Sequence, residues 1–259
     1  MQLKGKRIIV TGGAGGIAAA TVRAYVREGA TVTVVDVLDE QGEKVVREAN
    51  EAGGGKAEYV HCDISNRDEV FSVFENAEKK MDGLDVLAHI AAVENNKAAE
   101  DFTLDEMDLI WKININGTIL TNQAACRLIR KQGKGAIVNY ASDVAMTGMP
   151  NSALYSASKG ANMSWTRSIA HEWGAKYNIR CNCVNPTIKT PMYEKWRANA
   201  SEEVLKQHDV SNKFGYPIGG SMGNADKDLT PLMVFLASDG SGYINGQVIA
   251  VNGGSNMVR

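Results

Sequence analysis

Arg7-Ile8-Ile9-Val10-Thr11-Gly12-Gly13-Ala14-Gly15-Gly16-Ile17-Ala18 is the stretch from which the rest of the chain is read. The run 7–10 is short and apolar, as suits a strand buried on both faces. Glycines follow, and then a helical pattern continues through Tyr25 and Val26 to Glu28 and stops at Gly29. A glycine-rich turn between strand and helix lets the backbone come close to a pyrophosphate. The helix N-terminus adds N–H donors and the positive end of its dipole. A flexible surface loop would not need four glycines there. Gly12, Gly15, Gly16 and Ile17 are therefore candidate contacts to a dinucleotide. The run 31–35 reads as a second strand ending at Asp36. An acidic residue roughly 20 residues past the first glycine can accept hydrogen bonds from both ribose hydroxyls and would repel a 2′-phosphate. No Lys or Arg lies in the glycine turn or directly after Asp36, so the residues favour NAD over NADP.

The alternation continues along the chain. A helix is predicted over 40–51, a strand over 57–62, and a turn at Asp63-Ile64-Ser65, with Ser65 or Asn66 capping the next helix. A fourth strand, 85–92, ends in the small residues Ala91 and Ala92. A long helical region, 104–132, is interrupted around 113–117, where Asn and Gly inside a helix are costly unless they serve something. A fifth strand, 136–140, runs into Ala141-Ser142-Asp143. The helix after it carries Tyr155 and extends towards Trp173. A sixth strand, 179–184, is broken by Asn185-Pro186-Thr187, and Thr190-Pro191 has the form of an N-cap followed by proline at N1. The pattern is irregular over 192–222, returns to a buried helix over 229–237, and closes with a strand over 246–251. Strands alternating with helices from end to end predict one doubly wound α/β domain, 1–259, with a mostly parallel sheet of about seven strands. Ligands in such folds bind at the carboxyl ends of the strands. The glycine turn, Asp36, Asp63, Ala91, Ser142 and Pro186 would meet along that edge.

Tyr155 and Lys159 are separated by four residues, so on a helix they share a face, one turn apart. An ammonium held beside a phenol stabilises phenolate and would lower the tyrosine pKa from about 10 towards working pH, where a general acid/base is most effective.

Bulk properties narrow the partners. The chain has 259 residues, 44% of them hydrophobic and 22% charged, with a net charge of −2. There is no basic excess to neutralise phosphates, which argues against nucleic acid. No apolar run approaches the ~20 residues of a membrane span, and the first residues lead into a strand with no signal-peptide core. Cys62, Cys126, Cys181 and Cys183 lack metal-ligand spacing and read as reduced, buried, small hydrophobes. No metal is expected, and the sum points to a soluble cytoplasmic protein.

In this order and spacing the residues resemble the short-chain dehydrogenase/reductase family over nearly the whole chain, with its Rossmann fold. Thr11, Gly12, Gly16 and Ile17 look like that family's glycine motif, and Tyr155 with Lys159 like its catalytic pair. Ser142 stands thirteen residues before the tyrosine, as the family's serine does. Asn114 matches its helix asparagine, and the run from Pro186 to Thr190 its nicotinamide-binding segment. The resemblance implies hydride transfer between a nicotinamide and a carbinol carbon, with Tyr155 moving the proton. Lys159 would depress the Tyr155 pKa and bind the nicotinamide ribose, Ser142 would hold the substrate oxygen, and Asn114 would anchor a water linking Lys159 to solvent. Asp63 and Ile64 would flank the adenine, Ala91 would lie near the cofactor, and Ile188 and Thr190 would hold the carboxamide. Family members are usually dimers or tetramers, with the Tyr155 helix and the C-terminal helix and strand as contact surfaces. Three positions depart from the pattern: Ala18 replaces the third glycine, His89-Ile90-Ala91-Ala92 replaces Asn-Asn-Ala-Gly, and Thr187 replaces a glycine. His89 is expected to be structural, and Thr187 either shapes the pocket or is simply tolerated.

Substrate choice in the family comes from the loops above the cofactor. Here they hold Val144, Met149, Met192, Tyr193 and Trp196, an adaptable apolar wall. Met192, Tyr193 and Trp196 at helical spacing would equally suit core or oligomer packing, and 187–222 is a candidate substrate loop or lid. The expectation is a bulky apolar secondary alcohol or its ketone, with a hydroxysteroid leading. A 3-oxoacyl thioester, a sugar alcohol or a cyclic diol is the alternative, and a silent dinucleotide-binding regulator the remote one.

Overall fold

Seven parallel strands form one sheet in the order β3-β2-β1-β4-β5-β6-β7. These are β1 (Arg7–Thr11), β2 (Thr31–Asp36), β3 (Lys56–His61), β4 (Val86–His89), β5 (Gly135–Tyr140), β6 (Ile179–Pro186) and β7 (Val248–Val251). The computed structural model describes residues 1–257, except for the side chains of Met192 and Phe214. Every pairing is parallel, where a mostly parallel sheet was expected. Strand order reverses between β1 and β4, which leaves a crevice beyond their carboxyl ends.

Successive side chains along a strand point to opposite faces, and the core divides accordingly. Ile8, Val10, Val32, Val34, Val86, Ala88 and Val138 face α1 (Gly16–Arg27), α2 (Asp39–Ala52) and α10 (Thr230–Ala237), meeting Val22, Tyr25, Val45 and Met233. Ile9, Val35, Leu87, Ile137 and Cys181 face the other side. There α3 (Arg67–Met81), α5 (Gly117–Ile129) and α7 (Ala153–Tyr177) supply Phe74, Ile129, Ile169 and Trp173. Buried on both faces, the central strands need the continuous apolar runs that mark them in the sequence. Asn66 caps α3, accepting from the Glu69 amide.

Two helical regions differ from expectation. The interruption near 113–117 is a π-helical segment, Trp111–Asn116, between α4 (Leu104–Ile110) and α5. The run 192–222 is largely ordered helix rather than irregular chain: α8 (Pro191–Asn199) and α9 (Glu202–Gly215), capped by Thr190 and Ser201. A short α6 (Val144–Thr147) precedes α7. No helix among the described residues is long and apolar enough to cross a membrane.

Candidate active site

A cleft of about 600 Å³ opens at the carboxyl edge of the sheet, within the size range of small-molecule sites. At one end lies the glycine turn. Gly12 has φ +73°, and a Cβ there would stand 2.7 Å from the Ala91 backbone, so only glycine lets the turn lie against the end of β4. Gly15 precedes α1 with open space around it, and Gly16 begins the helix. Gly12, Gly15, Ile17 and Ala18 line the cleft. Gly16 does not, although its amide lies in the first turn of α1.

Asp36 ends β2 at the cleft wall, oriented by three backbone amides: Ala14 at 3.0 Å, Val37 at 2.7 Å and Leu38 at 3.2 Å. Lys159 is the only Lys or Arg among the described lining residues, so nothing at the Asp36 end would balance an added phosphate. Asp63 and Ile64 line the same end. Burial works against the Asp63 carboxylate, but two hydrogen bonds from Ser65 hold it below the usual range. A turn built for close approach, an open helix N-terminus and an acidic wall together fit a nicotinamide dinucleotide.

At the other end Tyr155 and Lys159 project from one face of α7. Lys159 Nζ lies 5.6 Å from the Tyr155 ring centre and donates to the Tyr140 carbonyl at 3.3 Å. Lys159 is buried, and that burial lowers its pKa to about 8. Ser142 follows β5 and lines the cleft beside Tyr155, where its hydroxyl favours the phenolate. The expected depression of the Tyr155 pKa is not produced by the protein's own groups. Burial raises it first and the Glu94 carboxylate second, while the Ser142 hydroxyl works the other way. The physical reason is placement: the ammonium lies at the ring and bonds a carbonyl, and its own charge is weakened by burial.

Asn114 sits in the π segment, wholly buried. Its amide donates to the Val93 carbonyl (2.8 Å) and Ser158 Oγ (3.0 Å), and its oxygen accepts from the Val93 amide (2.8 Å). It therefore clamps the segment that follows β4 past the active site. His89 is a staple of the same kind. Its ring nitrogens meet Thr11 Oγ1 (3.0 Å), Thr118 Oγ1 (2.9 Å) and Thr121 Oγ1 (3.0 Å), joining β1, β4 and α5. The Thr118 hydroxyl donates to the Asn114 carbonyl, so it accepts from His89 Nε2–H. Full burial drives the His89 pKa down to about 3, which keeps the ring neutral.

Ala91, Pro186, Ile188 and Thr190 line the cleft, with the Ile188 backbone bridged to Gly223. Of the anticipated substrate contacts, Ser142 lines this cleft. Val144 and Met149 are in and after α6 and do not line the cleft. Tyr193 and Trp196 stack on each other and pack on His208, with Tyr193 Oη 2.9 Å from His208 Nε2, so they form the joint between α8 and α9. The Met192 side chain lies outside the described residues. Glu94 and Asp143 were not singled out from the sequence. The one signal each carries is an acidic residue within a few positions of a strand end at the ligand edge. No group of His, Cys, Asp or Glu among the described residues is arranged to hold a metal ion.

Fold and site together define an α/β oxidoreductase with a dinucleotide cleft and a tyrosine–lysine pair at its far end. A family model described as enoyl-(acyl carrier protein) reductase matches residues 12–256. The chain is 33% identical to the 3-oxoacyl-[acyl-carrier-protein] reductase FabG of Thermotoga maritima, covering 98% of this chain and 99% of that one. It is also 33% identical to the 3-alpha-(or 20-beta)-hydroxysteroid dehydrogenase of Mycobacterium tuberculosis, over 98% and 90% respectively. Among solved structures, NAD⁺-bound xylitol dehydrogenase superposes with a TM-score of 0.89 at 26% identity, covering 98% of this chain and all of that one. The chain belongs to the short-chain dehydrogenase/reductase family.

Proposed function

We propose that the protein is an NAD-dependent dehydrogenase that interconverts a secondary alcohol and its ketone. The observation that carries this is the convergence of Ser142, Tyr155 and Lys159 at one end of the cleft whose other end is walled by Asp36 and the glycine turn. A bound nicotinamide dinucleotide supplies the hydride acceptor or donor. Asp36 accepts from the adenosine ribose, the amides of Gly15, Gly16 and Ile17 face the pyrophosphate, and Asp63 and Ile64 flank the adenine. Ala91, Pro186, Ile188 and Thr190 contact the remainder. Ser142 holds the substrate oxygen, and Tyr155 takes the alcohol proton during oxidation and returns it during reduction. Lys159 binds ribose, and Asn114 fixes the wall beside them.

A bulky apolar alcohol such as a hydroxysteroid is the leading substrate. The walls Ile90, Val93 and Ile188 support it, as does the hydroxysteroid dehydrogenase among the relatives. One position favours a polyol instead: Glu94 follows the lining residue Val93, and its exposed carboxylate would accept from neighbouring hydroxyls. We place the protein in the cytoplasm, where four buried free thiols suit a reducing environment, and infer a homodimer or homotetramer from the family resemblance.

The test is the appearance of reduced nicotinamide when NAD⁺ or NADP⁺ is mixed with steroid, sugar and cyclic alcohols. NADH binding without turnover on any of them would favour the silent regulator. Asp36→Ala should weaken NAD⁺ and narrow the preference over NADP⁺ at least ~10-fold, as loss of a charge-assisted contact and a repulsion together would. An unchanged ratio would refute the ribose contact.

A further inference from the structure

We propose that Asp143 is a positioning residue: its buried carboxylate holds Ser142 in place by gathering the ends of β5 and β6 and the C-terminal segment onto one point. The proposal rests on the reading that Ser142 holds the substrate oxygen. Asp143 is buried, and its contacts are all neutral donors. Oδ1 accepts from Asn185 Nδ2 at 2.5 Å and Asn252 Nδ2 at 3.4 Å. Oδ2 accepts from Thr187 Oγ1 at 2.7 Å, Asn252 Nδ2 at 3.2 Å and Ser255 Oγ at 3.3 Å. Asn185 lies in β6 and Thr187 just beyond it, while Asn252 and Ser255 follow β7. Asn252 is held in turn, accepting from the Gly254 amide (3.0 Å) and donating to the Asn256 carbonyl (2.9 Å).

Ser142 lies between two fixed points. On one side the Ala141 amide donates to the Val184 carbonyl at 2.9 Å. On the other is Asp143, whose carbonyl also accepts from the Met146 and Thr147 amides as α6 begins. A buried carboxylate with no cation is costly unless donors surround it. Here four donor groups do, and a neutral amide at 143 would turn its own N–H against some of them. Such a network is worth having only if it fixes geometry, and the neighbouring residue is the one whose geometry matters. It also gives Thr187 a role: the hydroxyl braces Asp143.

The test compares wild type with Asp143→Asn, the double variant Asp143→Asn/Asn185→Asp, and the milder Thr187→Val. The assays are alcohol oxidation, NADH titration by fluorescence, and crystal structures. Asp143→Asn should lower kcat by about 10²-fold, the scale of a misplaced reacting group. KM and NADH Kd should stay within about threefold, and the crystal should show Ser142 Oγ displaced from its wild-type position. The double variant restores a carboxylate opposite an amide and should recover about tenfold of the loss. If Asp143→Asn does not fold, Thr187→Val carries the same expectation at several-fold scale. Three results would overturn the proposal: kcat within about threefold of wild type, a Ser142 that keeps its wild-type position in the variant, or NADH affinity lost in step with kcat. Should wild type oxidise none of the alcohols, the dehydrogenase reading fails, while the Ser142 position in the variant crystal still decides the brace.

Discussion

Tyr155 lines the cleft together with Ser142, yet its phenol is held above the ordinary tyrosine range because burial and Glu94 both oppose the phenolate. Removing the Glu94 charge should ease that opposition. In Glu94→Gln the acid limb of the oxidation rate should move to lower pH by about half a unit, the scale of one partly screened charge; a limb that stays in place would show that Glu94 does not bear on the reacting phenol. His89 gives a second pH test. Its folded pKa of about 3 lies below the ordinary 6.5, so between those values the unfolded chain takes up a proton that the folded chain refuses. The contribution of neutral His89 to stability is therefore complete above pH 6.5 and declines as pH falls towards 3. In urea titrations His89→Asn should lose less stability than wild type between pH 7 and pH 4, and parallel losses would contradict it. At this scale the sequence shows the identity of the pair and of Asp36, because local spacing and strand ends carry them. It does not show the Asp143 network, whose partners lie 42, 44, 109 and 112 residues away.

The helical run from α4 to α5 explains how Asn114 comes to be buried. A π segment advances the chain by one extra residue within the helical run, and such segments occur mostly as single turns at functional sites. Here it turns Asn114 onto the Val93 backbone. Asn114→Ala would leave the Val93 amide and carbonyl without their partners, at about 1–3 kcal/mol for each buried group left unsatisfied. Denaturation midpoints should fall accordingly and turnover should drop at least ~10-fold; unchanged turnover with reduced stability would confine Asn114 to the fold. The helix-breaking composition of 113–117 marks an interruption, but composition cannot tell a π turn from a kink. The helices α8 and α9 are hidden for a different reason. Most of their side chains are exposed, so no apolar stripe marks them. Their legible signals are the caps at Thr190 and Ser201. Tyr193 and Trp196 were ambiguous between pocket and packing, and the α8–α9 joint they form with His208 is the packing alternative.

The sheet closes on one side with β7, a short apolar edge strand whose four residues are all half-buried, and the chain leading into it exposes Tyr243 fully. An edge of that kind is ordinarily covered or blunted. Multi-angle light scattering should therefore give a mass two or four times that of one chain, and Tyr243→Lys should shift it downwards; a monomer at micromolar concentration would remove the β7 edge as a contact surface. Whole-molecule architecture was the most legible level of all, since strand–helix alternation fixes the fold class without long-range information; sheet order and oligomer contacts depend on non-local pairing and are not written in any window. The four cysteines add a property of handling. Cys62 and Cys183 are pushed up to about 12, Cys126 to about 11, and Cys181 higher still, burial being the first cause in each case. A maleimide or disulfide reagent added to the folded protein meets almost no thiolate. Labelling then proceeds only as fast as the chain opens. Labelled fractions at the four sites, read by mass spectrometry, would time the opening of the layer formed by α3, α5 and α7 with no introduced probe.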